Sequence, residues 1–166
     1  MKKKTDITVL VPIYNQEKYI RRCLRSLLSQ DYNKDNYEII VINDGSTDKS
    51  SYALDSFKDE ITIINNEKNL GLPASLNLGI KKTKSDFIIR VDSDDYVNTN
   101  FLKILKLYLE ANQKTDAVAC DYLLVDDNEK VILRENCLKN LFILTSISLN
   151  IFSFVSNSQL QSKINT

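Results

Sequence analysis

The sequence predicts an α/β fold, a mostly parallel sheet with helices on both faces. Three observations lead there. Apolar, β-branched runs alternate with stretches of helical period, the pattern of repeated strand–helix units. Those runs are nearly continuous in their apolar character, as strands buried on both faces must be. Polar residues collect just after them, where such sheets gather their ligands. At 166 residues the chain is one domain in size and long enough to bury a real core. Its 43% apolar and 27% charged content excludes wholesale disorder.

The elements follow in order. Residues 7–13, ITVLVPI, read as a buried strand. The preceding lysines give the start a superficial likeness to a signal peptide, but the apolar run is short and lacks a small-residue cleavage site. Residues 17–30 change period: Ile20, Cys23, Leu24, Leu27 and Leu28 share one helical face, with arginines and lysine opposite. YEIIVI, residues 37–42, is a second buried strand, and a polar turn leads to a helix around residues 48–58. ITIIN, residues 61–65, is a third strand. Pro73 suits a first helical turn, with Leu72, Leu76 and Ile80 as the apolar stripe behind it. DFIIRV, residues 86–91, is the fourth strand. Asn98 or Thr99 can cap a helix carrying Phe101, Leu105, Tyr108 and Leu109. DAVACDYLLVDDNEKVIL then reads as a strand, a turn at Asp127-Asn128 and a returning strand.

Charge and composition narrow the chemistry. Twenty-two basic residues balance 22 acidic ones, so no general basic field points to nucleic acid or an anionic membrane. The three cysteines, Cys23, Cys120 and Cys137, lack paired or metal-ligand spacing, which suggests free thiols in a reducing cytoplasm. There is no histidine. Ser-His-Asp chemistry, Cys-His chemistry and histidine metal sites are thereby excluded, and any acid, base or metal ligand must come mainly from carboxylates.

Four strand ends would deliver polar side chains to one crevice: Tyr14 and Asn15, then Asp44, then Asn65 and Asn66, then Asp92 and Asp94. The densest group is Asp92-Ser93-Asp94-Asp95. Three carboxylates in four residues repel one another unless a divalent cation joins them, and oxygen ligands on a turn suit Mn2+ or Mg2+. The plainer alternative is a solvated acidic turn capping the following helix. Asn43-Asp44-Gly45-Ser46-Thr47-Asp48 is the second group. Gly45 permits a tight turn, and the serine and threonine can cap the next helix. On the plainer reading it is only a connector. Neither GxxxxGK[ST] nor GxGxxG is present in the required place, which disfavours P-loop phosphoryl transfer and nicotinamide binding.

VLVPIYNQEKYIRRCLRSLLSQDY, YEIIVINDGSTDKS and NLGLPASLNLGIKKTKSDFIIRVDSDD, in that order and spacing, resemble the start of family 2 glycosyltransferases. The similarity covers roughly residues 6–135. It implies a GT-A fold, a nucleotide-sugar donor (usually a UDP-sugar), a divalent metal and transfer with inversion. By the same resemblance, Pro12 and Tyr14 would line the nucleobase and ribose pocket, and Asp44 would hydrogen-bond the base. Asp92 and Asp94 match the D-x-D element that binds metal, with Asp94 the more direct ligand, Asp92 nearer the ribose or sugar, and Asp95 behind them. Gly71 and Asn77 fit the motif, Asn77 as a donor-site residue, though turn and helix packing would also account for them. Leu76 stands where the family often has arginine.

In such a reaction the metal stabilises the departing diphosphate, while a carboxylate opposite takes the acceptor hydroxyl's proton. The family places that base beyond the returning hairpin, yet no carboxylate follows Glu135 here. Residues 1–136 therefore read as an incomplete donor-binding domain and 137–166 as an atypical segment rich in apolar residues, serine and asparagine. A transmembrane segment would need ~20 apolar residues, and LFILTSISLNIFSFV is shorter and broken by polar ones. An interfacial segment is a second reading. A truncated or frameshifted end of poor order is the favoured third, with a non-catalytic binding remnant as its functional consequence. A nucleotidyltransferase is a weaker rival, for want of a glycine-rich basic loop. The expected partners are a nucleotide-sugar donor and a glycan or lipid-linked acceptor, with no nucleic acid. The expected setting is the cytoplasm, with peripheral association at the inner face of the plasma membrane, in cell-envelope polysaccharide synthesis.

Overall fold

The computed structural model describes residues 4–112, 114–115, 117–126, 128, 130–135 and 153–156. Strands β1 (Ile7–Ile13), β2 (Tyr37–Asn43), β3 (Thr62–Asn65) and β4 (Phe87–Arg90) run parallel. Helices α1 (Ile20–Leu28), α2 (Ser50–Asp55), α3 (Leu72–Lys82) and α4 (Phe101–Ala111) connect and cover them. Strands β5 (Ala117–Ala119), β6 (Tyr122–Val125), β7 (Val131–Glu135) and β8 (Ser153–Ser156) complete the set. The main sheet has the order β3-β2-β1-β4-β8-β5. From β1 the chain winds outward to β3, then crosses back to β4 on β1's other side. The β1–β4 boundary is thus the switch point at which such sheets open a ligand crevice.

Alternation along β1 sorts the core into two layers. Ile7, Val9, Val11 and Ile13 pack with Ile20, Leu24 and Leu27 of α1, Ala53 and Leu54 of α2, and Leu102 and Leu105 of α4. Leu10 faces the other way, onto Leu76 and Ile80 of α3 and onto Ile40, Ile42 and Ile88. Helices therefore lie on both faces. Gly79 lets α3 approach: an added Cβ would lie 2.9 Å from Leu10 Cδ2 and 3.0 Å from Ile42 Cδ1.

Several local expectations need correcting. The buried face of α4 is Phe101, Leu102, Leu105 and Leu109, while Tyr108 is exposed because the helix turns it away from the sheet. Leu72 likewise faces outward, and Ser75 and Gly79 join the buried stripe of α3. The cap residue of α4 is Asn100, whose N–H donates to Asn98 Oδ1 at 2.9 Å. Asp48, not Ser46 or Thr47, accepts the Ser50 N–H at the start of α2, since both hydroxyl residues are drawn toward Asn15. The strand read from Asp116 splits at Cys120-Asp121 into β5 of the main sheet and β6 of a separate hairpin with β7. Asp126 Oδ1 organises that hairpin's turn by accepting the N–H groups of Asn128 and Lys130, each at 2.9 Å.

Ser153–Ser156 pairs antiparallel with both β4 and β5, a strand that the composition of the segment does not announce. The readings made for the rest of residues 137–166 fall outside the described residues. Among the described residues no helix is long and apolar enough to cross a membrane.

Candidate functional site

The crevice begins where the β1–β4 ladder stops. Leu10↔Arg90 is its last registered pair, and the Val91 N–H closes it onto the Leu10 carbonyl at 3.0 Å. Ile13 points its carbonyl to the opposite side, accepting the Asp44 N–H at 2.9 Å. By alternation, the ring nitrogen of Pro12 faces the open β4 side. Proline has no N–H to lose there, so its place in a central strand costs no ladder bond. Tyr14 follows it onto the surface. Asn15 then turns the chain at φ 53°, and its Oδ1 accepts the Thr47 N–H at 2.8 Å. In return, the Asn15 N–H donates to Ser46 Oγ at 3.1 Å, and the Gln16 N–H to Ser50 Oγ at 2.9 Å. The loops after β1 and β2 are thus stitched to each other.

Asp44 is 5% exposed. Its Oδ1 accepts Asn66 Nδ2 at 2.7 Å and the Leu70 N–H at 2.8 Å, and its Oδ2 accepts the Gly71 N–H at 2.9 Å. Burial pushes the carboxyl up, but hydrogen bonds from Leu70, Asn66, Ser75 and Gly71 outweigh it and hold Asp44 below the usual carboxylate range. Gly45 follows at φ +70°, where a Cβ would lie 2.5 Å from the Lys68 carbonyl carbon. Only glycine allows the 68–70 backbone to come so close.

At the end of β4 the chain turns sharply, the Asp95 N–H donating to the Asp92 carbonyl at 3.0 Å. Arg90, nearly buried, grips Asp92 as a fork: Nε and Nη2 reach Oδ1 at 2.8 and 2.6 Å, and Nη2 reaches Oδ2 at 2.8 Å. Asp94 is exposed beside them. Helix α1 holds the same turn from behind. The Cys23 thiol donates to the Asp92 carbonyl at 3.6 Å, and Arg22 Nη2 reaches the Asp94 carbonyl at 3.4 Å while the guanidinium carbon Cζ lies 4.5 Å from the Tyr96 ring centre. Burial, then the charges of Asp94 and Asp92, push the Asp95 carboxyl up to about 6. The nearby Arg22 and Arg90 charges offset part of that rise.

Asp92 and Asp94 line a cleft of about 1140 Å³ together with residues of α1, α4 and β6, among them Arg22, Leu105, Tyr122 and Leu124. Pro12, Tyr14 and Asp44 sit at the carboxyl ends of β1 and β2, outside the lining of this cleft. Asn77 is exposed on α3, outside the cleft walls, and Leu76 at the family's frequent arginine position packs into the core. Among the described residues no three acidic or cysteine side chains form a ready cage for an ion. An exposed Asp94 carboxylate on an anionic turn instead fits a hard cation that keeps much of its shell for water and phosphate oxygens.

The family model for glycosyl transferase family 2 matches residues 8–154. The chain belongs to that family. Glycosyltransferase GlyG of Streptococcus pneumoniae is 36% identical over 127 residues, which cover 74% of this chain and 41% of that protein. The poly(ribitol-phosphate) beta-N-acetylglucosaminyltransferase TarS of Staphylococcus aureus is 35% identical over 106 residues, 62% of this chain and 18% of TarS. The chain thus spans less than half the length of these curated relatives. The crystal structure of TarS 1–349 in complex with UDP-GlcNAc superposes with a TM-score of 0.75 at 26% identity, covering 98% of this chain and 48% of that one. The mannosyltransferase PcManGT from Pyrobaculum calidifontis, solved with GDP-Man and Mn2+, has a TM-score of 0.76 at 20% identity, a likeness of fold. The sheet of this family 2 member is the GT-A fold.

Sequence reasoning passed over Arg90, Arg22 and Tyr96. Arg90 had a signal, since a cation in a strand buried on both faces requires a partner. Arg22 was read with the solvated face of α1, and nothing in the helical period distinguishes it from Arg21 or Arg25.

Proposed function

We propose that the chain is the donor-binding part of an inverting, metal-dependent glycosyltransferase. It would move a sugar from a nucleotide-sugar, a UDP-sugar by preference, to a glycan or lipid-linked acceptor in cell-envelope polysaccharide synthesis. Work at the inner face of the plasma membrane belongs to the same proposal. The observation that carries it is the position of the Asp92–Asp95 turn. It lies at the carboxyl end of β4, across the β1–β4 switch point from Pro12 and Tyr14.

In this reading Pro12 and Tyr14 bound the nucleoside side of the crevice. Asp44 acts by fixing the 66–71 loop, through the hydrogen bonds already described. Asp92, immobilised by Arg90, faces the ribose or sugar, and Asp94 holds Mn2+ or Mg2+. When bound, that cation would offset charge on the diphosphate leaving group. Arg22 and Cys23 keep the carbonyls of the turn in place, so the carboxylates need little reorganisation when the donor arrives.

The test is isothermal titration of UDP into the purified chain, with Mn2+ and with chelator, beside Asp94→Ala. We expect binding that needs Mn2+ and weakens at least about tenfold in Asp94→Ala, the loss of one charge-assisted contact. Equal affinity with and without metal would remove the metal from the proposal, and no binding under either condition would remove the donor.

A further inference from the structure

Arg90 is the one charged residue of β4, Phe-Ile-Ile-Arg, and its side chain is 9% exposed against 38% for Asp92. Among the described residues its Nη1 is buried without a hydrogen-bond partner. The guanidinium therefore depends on Asp92, whose two oxygens it engages together. Swinging Asp92 toward a cation would strand a buried positive charge, which is steeply unfavourable. The same positive charge also repels any cation approaching Asp92.

We propose that Arg90 withholds Asp92 from metal coordination, so that the divalent cation binds effectively only together with the nucleotide. The inference rests on the reading that Asp94 takes the donor's cation. With Asp92 committed to Arg90, the nucleotide-free protein offers the ion chiefly Asp94 on an exposed turn, and diphosphate oxygens supply what is lacking. Arg90 is thus a positioning residue. It enforces the order of assembly without touching donor or metal.

Replacing Arg90 by an apolar residue suits its buried surroundings, while partly exposed Asp92 can turn to water. The measurement is titration of Mn2+ by electron paramagnetic resonance of the free ion, without nucleotide. It compares the parent chain, Arg90→Leu and the double variant Arg90→Leu/Asp92→Asn. Arg90→Leu should bind Mn2+ about tenfold more tightly than the parent, the scale of one removed neighbouring charge plus one freed ligand. The double variant should lose that gain. An affinity in Arg90→Leu equal to or below the parent's, or a gain that survives in the double variant, overturns the proposal. If Arg90→Leu lacks the parent's circular dichroism spectrum, Arg90→Gln takes its place under the same criteria. Titration of the parent with UDP present separates the two readings. Absence of UDP-linked Mn2+ binding sinks the donor site, whereas UDP-linked binding with no response to Arg90 substitution sinks only the withholding of Asp92.

Discussion

Asp44 shows how a residue singled out for a ligand can also serve as an internal fastener. Its carboxylate takes hydrogen bonds from Asn66, Leu70 and Gly71, three groups of a loop with no regular structure of its own. In Asp44→Asn one amide N–H must face a backbone donor, so we expect a loss of about 1–3 kcal/mol at neutral pH. The pH dependence has a definite sign. The folded carboxyl lies below its ordinary value, so its contribution is present above the unfolded pKa of about 3.9 and fades as pH falls through the folded one. Urea titrations at pH 7 and pH 3 should show the gap between parent and variant shrinking. A gap unchanged at pH 3 would mean that the carboxylate's charge plays no part.

At the scale of elements, the contact between α3 and the sheet rests on Gly79, which has Leu10 and Ile42 directly above it. Gly79→Ala gains about 1 kcal/mol of helix propensity but must displace two side-chain ends at a cost of about 1–3 kcal/mol. We expect a net loss of about 1 kcal/mol by chemical denaturation, and a more stable variant would show that the interface has slack. The four parallel strands and the four helices were legible because burial on both faces writes continuous apolar runs into the chain, as in ITVLVPI and YEIIVI. Helix ends were less legible. Asn98, Thr99, Ser46 and Thr47 are all chemically able to cap, and only tertiary partners such as Asn15 decide which do. The break between β5 and β6 was hidden for a related reason: short strands leave too few residues to show a change of sheet. Within the site, Asp92 and Asp94 were visible as a local cluster. The fork from Arg90 and the backing by Arg22 were less so, because periodicity reports which face a residue occupies and not what waits there.

The whole molecule places Cys23 where one thiol can report on the integrity of the site. Burial, then the Asp95, Asp94 and Asp92 carboxylates, push it up to about 12, and it lies between α1 and the acidic turn. Its reaction with a thiol reagent at pH 8 requires the protein to open. Peptide mapping should find Cys120 modified before Cys23, and Cys23 modified only at a rate that rises with urea as unfolding does. Equal rates for the two would refute this placement. A different consequence follows from β8. The strand that flanks β4 comes from beyond the hairpin in sequence, so the acidic turn's own sheet acquires this neighbour only after the whole hairpin has been made. Until residue 156 has emerged, the edge of β4 stands open as a template for other chains. Pairing so distant in sequence is also slow to find. A nascent chain would therefore carry a nearly finished crevice beside an unsealed sheet edge, a kinetic exposure for which its overall stability offers no protection.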